Sequence, residues 1–260
     1  MIKDSSKEYV LELAKKGIRE DGRGLLNYRD IKIEYDISNN AEGSAAVTLG
    51  KTRVVCGIKL EIGEPYSDKP DEGTIIVNAE FAPVSSPTFE PGAPGENSIE
   101  LSRVVDRGIR ESQAVDFKKL CIKSGEKIWK VLIDLYIQNH DGNLIDAAAL
   151  AAIAALTKTK FPKYDEEKEA IDYHEHTKEK FPVVLHPIAC TVQKINGVLF
   201  VDTNFNEEEM TDARLTVTTC EDGNINAIQK GGRAGFSEEE IMQCVEIALE
   251  KGKEIRKHLK

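Results

Sequence analysis

The stretch "KIWKVLIDLYIQNHDGNLIDAAALAAIAAL", residues 127–156, changes character halfway. Residues 127–139 are rich in Ile, Val, Leu, Trp and Tyr, the residues that favour a pleated, half-buried strand. After the polar turn His140–Asn143 come seven alanines in ten residues, 146–155. Alanine is the best helix former and loses no side-chain entropy on packing. A helix with so few large side chains lies close against a sheet. The stretch therefore predicts a long strand followed by a close-packed helix, and Asp146 is either an N-cap candidate or a structural polar group.

Working outward, the same alternation of strands and helices recurs. Residues 7–17 predict a helix with Gly17 near its end. "RDIKIEYD" (29–36) has period two, and "GSAAVTLG" and "TRVVCGIKLEIG" are two further strands joined by a tight connection at "GKT". "TIIVNAEFAPV" is a strand ending at Pro83. The loop "SSPTFEPGAPGENS" follows, with three prolines that bar helix and central strand. A helix over 99–113 comes next, with Asn97 or Ser98 as cap. "YDEEKEAIDYHEHTKEK" is charged and reads as an exposed segment or lobe linker. Four more strands follow: "VVLHPIACTVQKI", "NGVLFVDTN", "ARLTVTTCEDG" and "NINAIQKGG". A final helix opens on a capping box, Ser237 with Glu240, with acidic residues first and basic residues last. Strands followed by a helix, twice over, give an α+β fold in two lobes. The expected divisions are an N-terminal helix and extension (1–28), a first lobe (29–162), a charged linker (163–183) and a second lobe (184–260).

The 260 residues carry 40% hydrophobic and 31% charged side chains, the composition of a soluble globular protein. No apolar run approaches the roughly 20 residues of a bilayer span, and "MIKDSSKEYV" lacks a signal-peptide core. A cytoplasmic protein without membrane contact is expected. Five cysteines, with no C-x-x-C pair, read as thiols in a reducing compartment, Cys56 and Cys190 within apolar strands. The net charge of −10 excludes a surface basic all over, but not a local basic stripe that meets phosphates.

Four segments are candidate sites. In "ELSRVVDRGIRES", Arg103, Arg107 and Arg110 share one helix face by their spacing, a mutual repulsion that an anionic partner offsets. The alternative is internal pairing, Asp106 with Arg110 and Glu100 with Arg103. In "QKGGRAGF", Lys230 and Arg233 flank glycines that permit close backbone approach to a phosphate, or the segment is only a turn into the last helix. The acidic run "VDTNFNEEEMTDARL" offers carboxylates at Asp202, Glu207, Glu208, Glu209 and Asp212 for a divalent cation, or is a solvated loop. His174 and His176 share a strand face but lack a third ligand. No metal or other cofactor is expected, and no nucleotide-binding or hydrolase fingerprint is present.

The ordered set "IREDGR", "GSAAVTLGKTRVVCGIK", "ELSRVVDRGIRES", "DGNLIDAAALAAIAAL" and "VDTNFNEEEMTDARLTV" resembles the RNase PH family, over about residues 18–250. Within that family it is most similar to the larger, non-catalytic ring subunits of archaeal exosomes. The resemblance implies an RNase PH fold of two lobes similar to domain 2 of ribosomal protein S5. It implies phosphorolytic 3′→5′ RNA degradation by a six-membered ring, three copies of this subunit type alternating with three of a catalytic sister. RNA-binding cap proteins would sit on one face, and single-stranded RNA would thread through the channel. Active members carry Asp-Gly-Gly-Thr-Arg, whose Thr and Arg hold the attacking phosphate. "IDAAALAAIAAL" supplies neither group. A second acidic site is degenerate: Asp212 matches, while Glu208 or Glu209 stands for an aspartate at shortened spacing. Arg103, Arg107 and Arg110 match positions that present positive charge to RNA. The resemblance thus implies a non-catalytic, RNA-binding ring subunit. The alternative is a self-sufficient phosphorolytic exoribonuclease that uses "QKGGRAG" for phosphate.

Overall fold

A computed structural model describes residues 4–259. The first lobe is a sheet in the order β1-β2-β3-β6-β4: β1 (Ile31–Tyr35), β2 (Gly43–Leu49), β3 (Thr52–Gly63), β4 (Thr74–Phe81) and β6 (Lys127–Asn139). A short β5 (Cys121–Lys123), not foreseen from the sequence, pairs with β6. All pairings are antiparallel except β4 with β6, where the chain crosses over through α2 (Glu96–Glu111). The second lobe is a four-stranded antiparallel sheet, β10-β9-β11-β12: β9 (Ile188–Ile195), β10 (Val198–Val201), β11 (Ala213–Thr219) and β12 (Ile225–Gly232). Helix α5 (Glu238–Arg256) covers β9 and β11 and opens on the capping box formed by Ser237 and Glu240. Helix α1 (Asp4–Lys15) rests Val10 and Ala14 against Ile195, Phe200 and Met210 of the second lobe.

Helix α3 (Leu144–Lys158) is the centre of the molecule. It packs on β2 and β3 on one side and on β9 on the other, and it also touches α2. Ala147, Ala148, Ala151, Ala152, Ala154 and Ala155 are all fully buried. Alanine suits this position because a helix enclosed by two sheets and a second helix has no face left for bulk. Gly43 completes the close approach: a Cβ there would lie 2.6 Å from the Ala155 carbonyl oxygen.

Three local expectations change. Helix α2 begins at Glu96 after Gly95, not at Ile99, and no side chain caps it. Ser98 is buried inside the helix and donates instead to the Ala79 carbonyl at 2.6 Å, tying α2 to β4. The charged segment after α3 is exposed as expected, but it is a hairpin of β7 (Lys160–Asp165) and β8 (Ala170–Lys180). A cross-strand ion pair, Lys163–Glu175 at 2.8 Å, supports the strand pairing of so polar a sequence. The acidic run is not a solvated loop. Asp202 and Glu207 are buried, and a short helix α4 (Phe205–Glu208) forms within it.

The basic residues of "IREDGR" and Arg29 explain that burial. Arg19 grips Glu207 through both carboxylate oxygens and donates to the carbonyls of Val201 and Asp202. Arg29 donates to both oxygens of Asp202, at 2.7 and 2.9 Å, and to the Asp141 carbonyl at 2.6 Å. Buried carboxylates survive only when paired and hydrogen-bonded. Burial pushes the Asp202 carboxyl up, but the Arg29 hydrogen bonds and charge outweigh it and hold the group below the ordinary aspartate range. Arg23 adds a third cation, 3.1 Å from Asp202. The N-terminal extension thereby clamps the second lobe.

Candidate nucleic-acid interface

Helix α2 buries Leu101, Val104, Val105, Gly108 and Ile109, a spacing that leaves Arg103, Arg107 and Arg110 exposed. The three arginines then part ways. Arg110 binds Asp106 through two hydrogen bonds of 2.8 and 3.1 Å and donates to the Ile75 carbonyl at 2.9 Å. It is a structural pairing, one of the two readings the sequence left open. Arg103 and Arg107 make no hydrogen bond or ion pair among the described residues. Glu100, expected to reach Arg103, pairs instead with Arg214 of β11 at 2.5 Å. That pairing is non-local, so helix spacing could not reveal it.

Arg103 and Arg107 overlook a cleft of about 540 Å³ between α2 and the second sheet. Its far wall is Arg214, Thr216, Gln229 and Lys230. Sequence reasoning missed Arg214. Its signal was its place opposite Gly231 in the β11–β12 register, where a Cβ would come 2.6 Å from the guanidinium carbon. Glycine there lets the guanidinium lie on the β12 backbone. Lys230 joins the cleft, but Arg233 does not. The "QKGG" part of the glycine segment is the end of β12, and Arg233 lies beyond it in a separate hollow with Thr211 and Asp212. The two cations therefore line different hollows.

At the floor of the cleft stands Ile145, in the first turn of α3. The helix is entered through Gly142 and Asn143, both at positive φ. Helix N-termini favour anions. Here the half-buried Glu208 fills that position, accepting the Asn143 backbone N–H at 3.1 Å. Burial raises its carboxyl to about 7, against the Asn143 hydrogen bond and the nearby Arg214 and Arg29 charges. Asp212 does something else: its carboxylate accepts the Asn196 N–H at 2.6 Å and holds the turn between β9 and β10. Glu208 and Asp212 are thus split between two structural tasks. Among the described residues, no three His, Cys, Asp or Glu side chains converge as a metal site. His174 and His176 are exposed on β8. Cys56 and Cys190 are buried free thiols, as their apolar strands predict, and burial raises both pKa values.

Two sheet-and-helix lobes with a cationic cleft between them define the class, a two-lobed α+β fold with an anion-attracting cleft. The chain belongs to the RNase PH family: residues 27–162 match domain 1 of the 3′ exoribonuclease family and residues 186–251 match domain 2. It is 49% identical over 252 residues to exosome complex component Rrp42 of Thermococcus kodakarensis, covering 96% of this chain and 92% of that one. With the Rrp42 component of Methanosarcina acetivorans it shares 45% over 258 residues, covering 98% and 94%. Its fold matches a chain of the Archaeoglobus fulgidus exosome with RNA bound to the active site, with TM-score 0.91 and 45% identity, covering 99% of this chain and 98% of that one. No helix among the described residues is long and apolar enough to cross a membrane.

Proposed function

We propose that this chain is a non-catalytic subunit of a cytoplasmic archaeal exosome ring, binding the RNA backbone through Arg103 and Arg107. It would assemble with a catalytic sister as a trimer of heterodimers, completing the sister's site for 3′→5′ phosphorolysis, beneath RNA-binding cap proteins. The observation that carries this reading is the contrast across one cleft. Two exposed arginines on α2 stand unpaired among the described residues, while the first turn of α3 offers the cleft only the aliphatic Ile145 and Glu208 of α4 caps that helix from behind. Phosphodiester binding needs the first. Holding an attacking phosphate needs a free anion-binding position, and at the α3 N-terminus the Glu208 carboxyl already occupies it. The run Ile145–Leu156 supplies no Thr or Arg, and its one acidic residue, Asp146, is buried.

Contacts to phosphate carry no sequence information, so binding through them is expected to be salt-dependent and indifferent to sequence. The test is phosphate-dependent shortening of single-stranded RNA by the purified chain alone and with its catalytic sister. Activity is expected only in the mixture. Robust shortening by the lone chain would overturn the reading and favour the self-sufficient enzyme.

A further inference from the structure

We propose that the RNA track continues onto the second lobe, with Arg214 and Lys230 as further phosphodiester contacts and Glu100 as a counter-ion that RNA displaces from Arg214. This rests on the RNA-binding reading of α2. Glu100 lies one turn before Arg103 on the same helix and faces across the cleft to Arg214, 2.5 Å away. The Glu100 side chain is 47% exposed and that of Arg214 24%. An ion pair this open contributes little net stability, because water and salt screen it and two long side chains must be held still. A phosphate group, entering beside the unpaired Arg103 and Arg107, replaces the carboxylate at small cost. The guanidinium is already oriented by its seat on Gly231 and takes phosphate oxygens through two parallel donors.

Lys230 adds to the same wall. Its ammonium donates to the Gly232 carbonyl at 2.6 Å, a neutral partner that leaves its charge uncompensated. Four cations, Arg103, Arg107, Arg214 and Lys230, then face two carboxylates, Glu96 and Glu100. Of these two, only Glu100 holds a cation among the described residues. Glu96 is therefore the natural control for bulk charge.

The experiment measures binding of a labelled single-stranded oligoadenylate to the full chain by fluorescence anisotropy across a salt series, alone and with its co-purified partner. Glu100→Gln is expected to tighten binding about threefold or more, the scale of releasing an exposed pair. Glu96→Gln is expected to do less. In an Arg214→Ala background, Glu100→Gln should gain no more than Glu96→Gln. Arg214→Ala should also lower the slope of log affinity against log salt by about 0.7, one phosphate contact on a single strand. Arg214→Lys, which keeps the charge, should retain most of that slope. Equal effects of the two Glu→Gln changes, or a Glu100→Gln gain that persists without Arg214, would overturn the proposal. If Arg107→Glu weakens RNA binding while Arg214→Ala leaves it unchanged, this inference falls and the α2 reading stands. If neither matters, both fall. Inorganic phosphate that raises the melting temperature of the wild type but not of Arg214→Ala would make the cleft a free-phosphate site and overturn the RNA assignment.

Discussion

Asp146 on α3 and Thr191 on β9 tie the two lobes together through two hydrogen bonds. The Thr191 hydroxyl donates to one carboxylate oxygen at 2.7 Å, and its backbone N–H donates to the other at 3.1 Å. The Tyr28 hydroxyl and the Asn143 side-chain amide donate to that second oxygen as well, at 2.6 and 3.0 Å. The carboxylate is 4% exposed, so these donors have no water to turn to. Of the two readings the sequence left open for Asp146, N-cap or structural polar group, the second holds: it joins first lobe, second lobe and N-terminal extension.

Burial raises the Asp146 carboxyl to about 6, even though four donors pull it down. A carboxyl with a raised folded-state pKa contributes stability that is complete below its unfolded value near 3.8 and lost as the pH rises through 6. Asp146→Asn removes that titration. The difference in urea midpoint between wild type and Asp146→Asn is therefore expected to shift towards the variant between pH 4 and pH 7. Asp146→Ala strands several buried donors and is expected to cost about 3 kcal/mol or more at any pH in that range. An unchanged midpoint difference across the range would refute the ionisation account.

The Arg29–Asp202 pair has the opposite sign. The Asp202 carboxyl is held below its ordinary range, so its contribution is present at neutral pH and lost as the pH falls through the acid range. Arg29→Ala leaves the buried Asp202 carboxylate with one cation, Arg23 at 3.1 Å, beside the backbone N–H of residue 29 and the Asn143 amide. The expected loss is about 3 kcal/mol, seen as a lower urea midpoint at pH 7. As the pH falls through the depressed titration range of Asp202 and its carboxylate is protonated, the penalty should shrink.

The arginine face of α2 divides by partner. Arg107→Glu is expected to weaken RNA binding by the assembled ring tenfold or more, about 1.4 kcal/mol for a lost and reversed phosphate contact, while assembly persists. Arg110→Ala is expected to leave RNA affinity within twofold and to lower stability by about 1 kcal/mol, because it gives up the Asp106 pair and the Ile75 carbonyl. Native mass measurement and RNA binding on the same samples separate the two effects. The reverse pattern would move the interface to the Arg110 side of the helix.

Most of the architecture was legible because it follows from local periodicity. The strand of 127–139, the alanine helix and the Ser237–Glu240 capping box each declare themselves within a few residues. What escaped was non-local or compensated. The acidic run looked solvated because Arg19, Arg23 and Arg29, its partners, lie more than 170 positions earlier in the chain. The hairpin of β7 and β8 looked like a linker because its charges hide the pairing. Arg214 carried no motif, and its importance lies in facing Glu100 across the lobes. The α2 side of the cleft and Lys230 are therefore readable from the sequence, and Arg214 only from the fold.

Helix α3 makes the last prediction, since it connects packing to the cleft. Ala151 is fully buried between the two lobes, whereas Ala149, two places earlier, is half-buried. Three added side-chain carbons at Ala151 have no void to enter in a close-packed core, so Ala151→Leu is expected to cost about 1–3 kcal/mol by urea unfolding. Ala149→Leu should cost less than half as much. The Ala151 change must push α3 away from β2 or β9. Because Ile145 and the Asn143 N–H ride on the same helix, the displacement reaches the cleft floor and the Glu208 contact. Ala151→Leu is thus expected to weaken RNA binding as well as stability, and Ala149→Leu neither strongly. Should both variants lose stability equally, α3 would not be the close-packed partition between the lobes that its alanines imply.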